Sequence, residues 1–140
     1  MAETLPDKLQ LEIVTPTRQM FVGEVDEVTV PGLDGYLGIL PGHAPLLSEL
    51  KVGVLSFRIG SERTKLFCGW GFVEVLPDQV SVLAETAETP NEIDIDRASH
   101  AKLEAEAQLR SKATDTDYQQ VMDSWEAAIA RLNAADVPVK

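Results

Sequence analysis

Residues 30–50 constrain the fold of this chain more than any other segment. They include four glycines and three prolines, and no formal charge lies between Asp34 and Glu49. Proline fixes φ and cannot donate to a β-ladder, whereas glycine tolerates positive φ. The composition therefore predicts successive tight turns with short strands between them. The apolar side chains of this segment must either pack on a core or contact another protein: Tyr36, Leu37, Ile39, Leu40, Leu46 and Leu47.

The segments on either side of these turns predict further β-strands. Leu9, Leu11 and Ile13 alternate with polar residues, which is the period of a half-buried strand. Five more segments rich in apolar and β-branched residues are bounded by turn residues: 25–30, 54–59, 64–68, 72–76 and 80–84. Roughly eight to ten short strands in about the first 85 residues predict an antiparallel β-sandwich or flattened barrel.

The composition changes after residue 84, where helix formers replace the strand pattern. Pro90 and its polar neighbours predict a short linker, and Asn91 or Asp94 can cap the helix that follows. Residues 94–110 are rich in Ala, Glu, Lys, Leu and Arg and predict that helix. A stripe of small residues on one face permits close approach of a neighbour: Ala98, Ala101 and Ala105.

A second helix is predicted up to about residue 134. Residues 111–116 form a polar break in which Thr114 or Thr116 can act as the N-cap. The apolar side chains of this helix share one face: Tyr118, Val121, Met122, Trp125, Ala128, Ile129 and Leu132. The two helices predict an antiparallel hairpin that docks on the sandwich or on a partner. The predicted division is a β-sandwich at residues 1–88, then a linker and hairpin at residues 89–140.

The charge and cysteine content narrow the classes of partner and compartment. With 23 acidic and 12 basic residues, the net charge is −11, which disfavours nucleic-acid and anionic lipid surfaces. The lone Cys68 excludes an internal disulfide and favours a reducing cytoplasmic compartment. The first residues do not resemble a signal or transit peptide, and the longest uncharged run is too short to span a bilayer. We therefore expect no nucleic acid and no direct membrane insertion.

The sequence offers little catalytic or metal-binding chemistry. His43 and His100 are the only histidines, and neither has carboxylates at metal-ligand spacing, so no metal site is predicted. Cys68 lies in a predicted strand and is interpreted as a buried, inert thiol. His43 is interpreted as a turn histidine bonded to backbone groups, with an interface contact as the alternative. No phosphate-cradling glycine motif of either common kind occurs.

Two motifs carry a specific resemblance to a known family. Residues 35–47 read GYLGILPGHAPLL, and residues 93–98 read IDIDRA at the start of the predicted hairpin. Over essentially its whole length the chain resembles the epsilon subunit of the bacterial F-type ATP synthase, which is similar to the mitochondrial subunit called delta. The resemblance implies a ten-stranded β-sandwich with two helices. It also implies a non-catalytic central-stalk subunit that couples gamma to the c-ring of a proton-translocating F1Fo complex, on the cytoplasmic face of the cell inner membrane.

The resemblance also assigns interface residues. The loop expected near the c-ring comprises Asp34, Gly35, Tyr36, Leu37 and Gly38. Some relatives have an acidic residue where this chain has Tyr36, so an apolar or hydrogen-bonded contact is expected here. The residues expected to face gamma are His43, Leu46 and Leu47. In the family the hairpin either folds on the sandwich or extends along gamma to the alpha and beta subunits, where it blocks ATP hydrolysis.

Some relatives bind ATP in the folded state, and the resemblance carries four of the residues over. They are Glu88, Asp94, Arg97 and Arg131. Ala127 stands one turn before Arg131, where those relatives have a second arginine. Losing that charge-assisted contact costs roughly 1.5–3 kcal/mol, so ATP binding is expected to be roughly ten- to a hundredfold weaker, or absent. No other cofactor is expected. The alternative function is a free-standing β-sandwich binding module with a helical oligomerisation hairpin, and an enzyme is a distant third.

Overall fold

The computed structural model describes residues 5–111 and 115–138, in which ten strands precede two helices. The strands are β1 (Leu9–Val14), β2 (Gln19–Val25), β3 (Glu27–Gly32), β4 (Gly35–Ile39), β5 (Leu46–Leu50), β6 (Gly53–Ile59), β7 (Glu62–Cys68), β8 (Gly71–Leu76), β9 (Gln79–Ala84) and β10 (Ala87–Glu88). A short 3₁₀ turn, Pro90–Glu92, leads into α1 (Ile95–Arg110) and α2 (Asp115–Ala134). The predicted sandwich followed by a helical hairpin is confirmed.

The strands form one sheet that curls so that its two halves enclose the core. The strand order is β10-β7-β6-β3-β5-β8-β9-β1-β2, with β4 paired to β3. Phe21 of β2 lies 4.3 Å from Phe57 of β6, ring centre to ring centre, and the Asp26 amide donates to the Arg58 carbonyl. These contacts bring the two halves together around apolar side chains that are almost completely buried, including Leu11, Leu55 and Val82.

One strand pairing and one strand differ from the expected pattern. β1 and β9 pair in parallel, which is possible because they are distant in sequence and no hairpin turn joins them.

β2 is a strand whose bounds the sequence pattern did not predict. It lies at the end of the strand order, its pairing with β1 is irregular between Ile13 and Val14 of β1, and only Val25 of its seven residues is buried. A partly exposed, irregular strand loses the clean alternation that identifies a regular one.

Residues 30–50 contain the end of β3 and the whole of β4 and β5, separated by turns, as the proline and glycine pattern predicted. β3 and β4 join through a tight turn in which Gly35 has a φ of +134°. A second turn follows at Gly42, whose φ is +90° and whose amide donates to the Pro77 carbonyl at 2.7 Å. β5 then pairs with β8. Both glycines occupy a region of φ that residues with a side chain rarely adopt.

The first helix has the predicted cap and the predicted small face. The Asp94 carboxylate accepts from the Arg97 amide at 3.0 Å, which satisfies one free amide of the first turn. Ala98 and Ala105 are buried and Ala101 is half-buried in the packing of α1 on α2. The predicted N-cap of the second helix, at Thr114 or Thr116, lies outside the described residues and side chains.

The second helix uses two faces, of which the sequence indicated one. Val121, Ala128 and Leu132 are buried, as expected, whereas Tyr118 is about half exposed. A second face, formed by small residues, packs on β6 and β7. Its buried members are Ala130 and Ala134, which form one cluster with Phe67 and Ile93. The periodicity of hydrophobic residues did not reveal this face, because alanine adds little to a hydrophobic pattern.

Candidate functional site

A cleft of about 390 Å³ lies where the two helices meet the end of the sandwich. Ten residues line it: Glu88, Glu92, Asp94, Arg97, Ala98, Ala101, Ser124, Ala127, Ala128 and Arg131. All four residues carried over for nucleotide binding are among them. The structure therefore brings together Glu88 from β10, Asp94 and Arg97 from the start of α1, and Arg131 from α2.

Arg131 is held firmly at the wall of this cleft. Its Nε donates to Glu88 Oε1 at 3.0 Å and its Nη2 donates to Glu88 Oε2 at 3.0 Å, so the ion pair is bidentate. The guanidinium carbon also lies 4.2 Å from the centre of the Phe67 ring. The planar guanidinium suits both contacts. Its charge is therefore already matched by a carboxylate of the same chain.

Glu92 is a wall residue that the sequence interpretation missed. The Thr89 amide donates to Glu92 Oε1 at 2.9 Å, and Arg18 of the β1–β2 turn lies 2.7 Å from Oε2. The hydrogen bond from Thr89 and the contacts with Arg18 lower the pKa of this carboxyl. The spacing of a threonine and a glutamate three residues later, Thr89 and Glu92, is the capping-box pattern and could have identified it.

The charges on the cleft wall are unfavourable for a polyphosphate. Three carboxylates and two guanidiniums line the cleft. Asp94 Oδ1 already accepts the Arg97 amide, and Arg131 is paired with Glu88. Ala127 contributes a methyl group to the wall where a second arginine would supply a cation. Without that cation, the excess negative charge opposes an anionic ligand.

The loop predicted to approach the c-ring forms the β3–β4 hairpin. Leu33 and Asp34 occupy the exposed turn, and Leu37 packs partly on the core. Tyr36 is 56 % exposed, but its hydroxyl accepts the Val54 amide at 3.0 Å, so its ring lies across the start of β6. Gly35 and Gly38 are both at least partly exposed. The β3–β4 pairing ends at Gly32 and Gly35, so Leu33 and Asp34 are the residues that lie beyond it at the tip of the hairpin.

The residues predicted to face gamma lie beyond that hairpin. His43 Nδ1 is 2.7 Å from the Ala44 carbonyl oxygen, and its amide donates to the Leu40 carbonyl, so the ring is bonded to the backbone of its own turn. Leu46 and Leu47 begin β5, and Leu47 is 72 % exposed. A leucine exposed to this degree contributes nothing to the core.

Cys68 has the environment of a structural residue. It is buried in the core, its thiol donates to the Gly69 carbonyl, and burial raises its pKa to about 12. The thiolate needed for nucleophilic attack is therefore scarce at neutral pH. In the described part of the chain, no three His, Cys, Asp or Glu side chains lie close enough to hold a metal ion.

Neither α1 nor α2, the two helices longer than one turn in the described part of the chain, combines the length and the hydropathy that a membrane-spanning helix requires.

Comparison with known proteins identifies both parts of this architecture. Residues 8–90 match the beta-sandwich domain of the ATP synthase delta/epsilon chain, and residues 91–136 match its long alpha-helix domain. A solved structure of the Euglena gracilis mitochondrial ATP synthase, comprising OSCP, F1 and c-ring, contains a chain of the same fold. The TM-score is 0.82 with 23 % identity, over 95 % of this chain and 84 % of that one.

Proteins of similar sequence that are named ATP synthase epsilon chains match most of this chain. The "ATP synthase epsilon chain 1" of Syntrophotalea carbinolica is 46 % identical over 132 residues, which cover 94 % of this chain and 96 % of that protein. The "ATP synthase epsilon chain" of Koribacter versatilis is also 46 % identical, over 79 % of this chain and 78 % of its own length. The chain belongs to the delta/epsilon family of ATP synthase subunits.

Proposed function

We propose that this chain is the central-stalk subunit of a proton-translocating F1Fo ATP synthase, where it joins the gamma subunit to the c-ring and turns with them. The observation that carries the proposal is the match of both the sandwich and the hairpin to one family, with 46 % identity to an epsilon chain over 94 % of the chain. As in that family, the subunit is non-catalytic. ATP is made and hydrolysed elsewhere in the complex.

Two surfaces of the sandwich support this role. The β3–β4 turn projects from the sheet with Leu33 and Asp34 exposed, and it is the surface proposed to meet the c-ring. Leu46, Leu47 and His43 lie on and before β5 and are proposed to meet gamma. Through these partners the subunit is held in the F1 sector at the cytoplasmic face of the inner membrane, without entering the bilayer.

The hairpin is proposed to regulate ATP hydrolysis. In this structure it is docked, with the Ala130 and Ala134 face on β6 and β7 and Arg131 on Glu88. Because the docking cluster has few buried members, docking and undocking can be close in free energy. An undocked hairpin is free to reach the alpha and beta subunits and stop rotation in the hydrolytic direction.

ATP is proposed to bind weakly or not at all in the cleft. Arg97 is exposed there, but Arg131 is engaged by Glu88 and position 127 is an alanine. Millimolar ATP is therefore expected to shift the melting temperature of the isolated chain little. Ala127→Arg restores a second cation and is expected to increase that shift. A shift of several degrees in the wild type would show that the residues present are sufficient.

Co-purification with the other stalk subunits tests the function directly. We expect the tagged chain to form a stable complex with the gamma subunit of its own organism and, when added to an F1Fo complex that lacks it, to restore ATP-driven proton pumping. The competing function, a free-standing binding module with an oligomerisation hairpin, predicts self-association through the hairpin instead. Failure to bind gamma, together with that self-association, would favour the alternative.

A further inference from the structure

Tyr36 links the β3–β4 hairpin to the strand on which α2 docks. β3 lies between β4 and β6, because Val28 pairs with Ile39 of β4 on one side and with Phe57 of β6 on the other. The Tyr36 side chain crosses β3, and its hydroxyl accepts the Val54 amide of β6 at 3.0 Å. A side chain of β4 therefore holds a backbone group two strands away.

The Val54 amide bonds to this hydroxyl at a point where the strand pairing has ended. The β3–β6 pairing stops two residues before Pro31, whose carbonyl accepts the Lys51 amide instead. Gly53 leaves room for the tyrosine, since a Cβ there would lie 2.8 Å from the Tyr36 hydroxyl oxygen and 2.6 Å from the Pro31 Cβ. The residues of β3 and β6 are thus suited to receive the Tyr36 hydroxyl.

Val54 in turn contacts the surface that receives α2. Val52 and Val54 are half-buried and pack on the docking cluster, which comprises Phe67, Ile93, Ala130 and Ala134. Because α2 supplies only the two alanines to this cluster, the position of the β6 side chains determines how well the helix fits. A shift of the Val54 backbone therefore changes the docking surface itself.

Tyr36 and α2 also border one cavity of about 200 Å³. Tyr36 and Gly53 line it from the sheet, and Trp125, Ile129 and Ala130 line it from α2. Tyr36 is 56 % exposed, so the hydrogen bond at the tip of its ring holds the side chain more than burial does. A contact of this kind can break locally while the sheet stays folded.

We propose that Tyr36 couples the β3–β4 turn to the docking of α2. A c-ring bound to the exposed Leu33 and Asp34 immobilises the hairpin, keeps the Tyr36 hydroxyl on Val54 and so favours docked α2. Coupling between two sites is reciprocal, so undocking of α2 lowers the affinity of the turn for the c-ring. This inference rests on the proposed function, which supplies the c-ring as partner. The connection itself comes from the hydrogen bond, the packing of Val54 and the shared cavity.

Hydrogen exchange of the isolated full chain tests the connection without any partner. Tyr36→Phe keeps the ring and removes the hydroxyl, so the amides of residues 125–134 are expected to exchange roughly threefold to tenfold faster than in the wild type. Amides of β1 and β9 should keep their wild-type rates, which separates weaker docking from a general loss of stability. The matched control, Tyr118→Phe, removes the same group from a tyrosine of α2 that is 52 % exposed, and should exchange like the wild type. Wild-type rates at residues 125–134 in Tyr36→Phe would overturn the proposal.

Addition of the purified c-ring in detergent micelles tests the coupling. The bound c-ring is expected to slow exchange at residues 125–134 of the wild type roughly threefold or more, and to slow it much less in Tyr36→Phe. Conversely, Ala130→Glu disrupts the docking cluster and is expected to weaken binding of the c-ring by a similar factor. Ala107→Glu adds the same charge at an exposed position of α1 and should bind the c-ring like the wild type.

The outcomes separate the coupling from the function. A wild-type chain that binds the c-ring with unchanged or faster exchange at residues 125–134 would overturn the coupling while leaving the stalk function intact. A chain that binds neither gamma nor the c-ring would overturn the stalk function together with the coupling to the c-ring. In that case the exchange rates of Tyr36→Phe still decide whether Tyr36 holds the docking surface of α2.

Discussion

Arg131 of α2 and Glu88 of β10 form a bidentate ion pair, in which the Nε–Oε1 and Nη2–Oε2 distances are both 3.0 Å. The pair connects the hairpin to the sandwich and lies beside Phe67, the centre of the docking cluster. Lys65 of β7 adds a second link, since its ammonium contacts the Asn133 carbonyl in the last turn of α2 and the Asp136 carboxylate just beyond the helix. Within the described residues, one small apolar cluster and two ionic contacts thus dock the hairpin on the sandwich.

Loss of the Arg131 ion pair should loosen the docked hairpin. Both side chains are about one-third exposed or less, so solvent screens the pair only in part, and Arg131→Met is expected to destabilise docking by about 1 kcal/mol. Hydrogen exchange of the α2 amides measures this. A double-mutant cycle with Glu88→Gln isolates the coupling. Additive effects of the two substitutions would mean that the pair contributes nothing to docking.

A charge inside the docking cluster should release the hairpin altogether. Ala130 is 6 % exposed and faces Phe67, so Ala130→Glu would place an unpaired carboxylate in an apolar contact. We expect rapid proteolysis within the hairpin while the sandwich stays folded. The control, Ala107→Glu, adds the same charge at an exposed position of α1. Equal protection of α2 in both variants would show that the cluster does not hold the hairpin.

Acid should weaken the contact between the two helices. The Trp125 indole donates to Glu106 Oε2 at 3.2 Å, and this hydrogen bond lowers the pKa of the Glu106 carboxyl, with a smaller contribution from Lys102. A lowered pKa in the folded state stabilises the fold above the unfolded value of about 4.3, and this stabilisation is lost as the pH falls through the folded value.

Glu106→Gln tests that pH dependence. Its melting temperature is expected to lie below that of the wild type at neutral pH, with a difference that shrinks as the pH falls below about 4.3. Melting followed by tryptophan fluorescence measures it. Glu104→Gln, at an exposed neighbouring position of α1, serves as the control. A difference between Glu106→Gln and the wild type that is constant with pH contradicts the assignment.

Removal of residues 91–140 should leave a folded sandwich that still binds gamma. The main core contains strand residues only, whereas the cluster lost with the hairpin shares Phe67 of β7. We expect a single cooperative unfolding transition with a lower melting temperature, because Phe67 becomes exposed. Phe67→Ser in the truncated chain should limit aggregation. A gradual, non-cooperative melt would overturn the predicted division of the chain at residue 88.

The sequence by itself determined the order and type of most elements, with β2 as the exception. Turns at Gly35 and Gly42 follow from the φ that these positions require, and the cap of α1 follows from the carboxylate of Asp94 one residue before the helix. These features depend on interactions between residues close in the chain. The family resemblance of the motif at residues 93–98 placed Asp94 and Arg97 in one candidate nucleotide site, which stays a prediction, and both residues line the cleft.

Only the tertiary structure decided which distant residues meet. The parallel pairing of β1 with β9 aligns residues 10–14 with residues 79–83, and the docking of α2 places Arg131 on Glu88, 43 residues away in sequence. The alanine face of α2 and the role of Glu92 were missed, because small residues carry little hydrophobic signal and because Arg18 reaches Glu92 only after folding. Local propensities fixed the elements, whereas burial of apolar surface between elements fixed their neighbours.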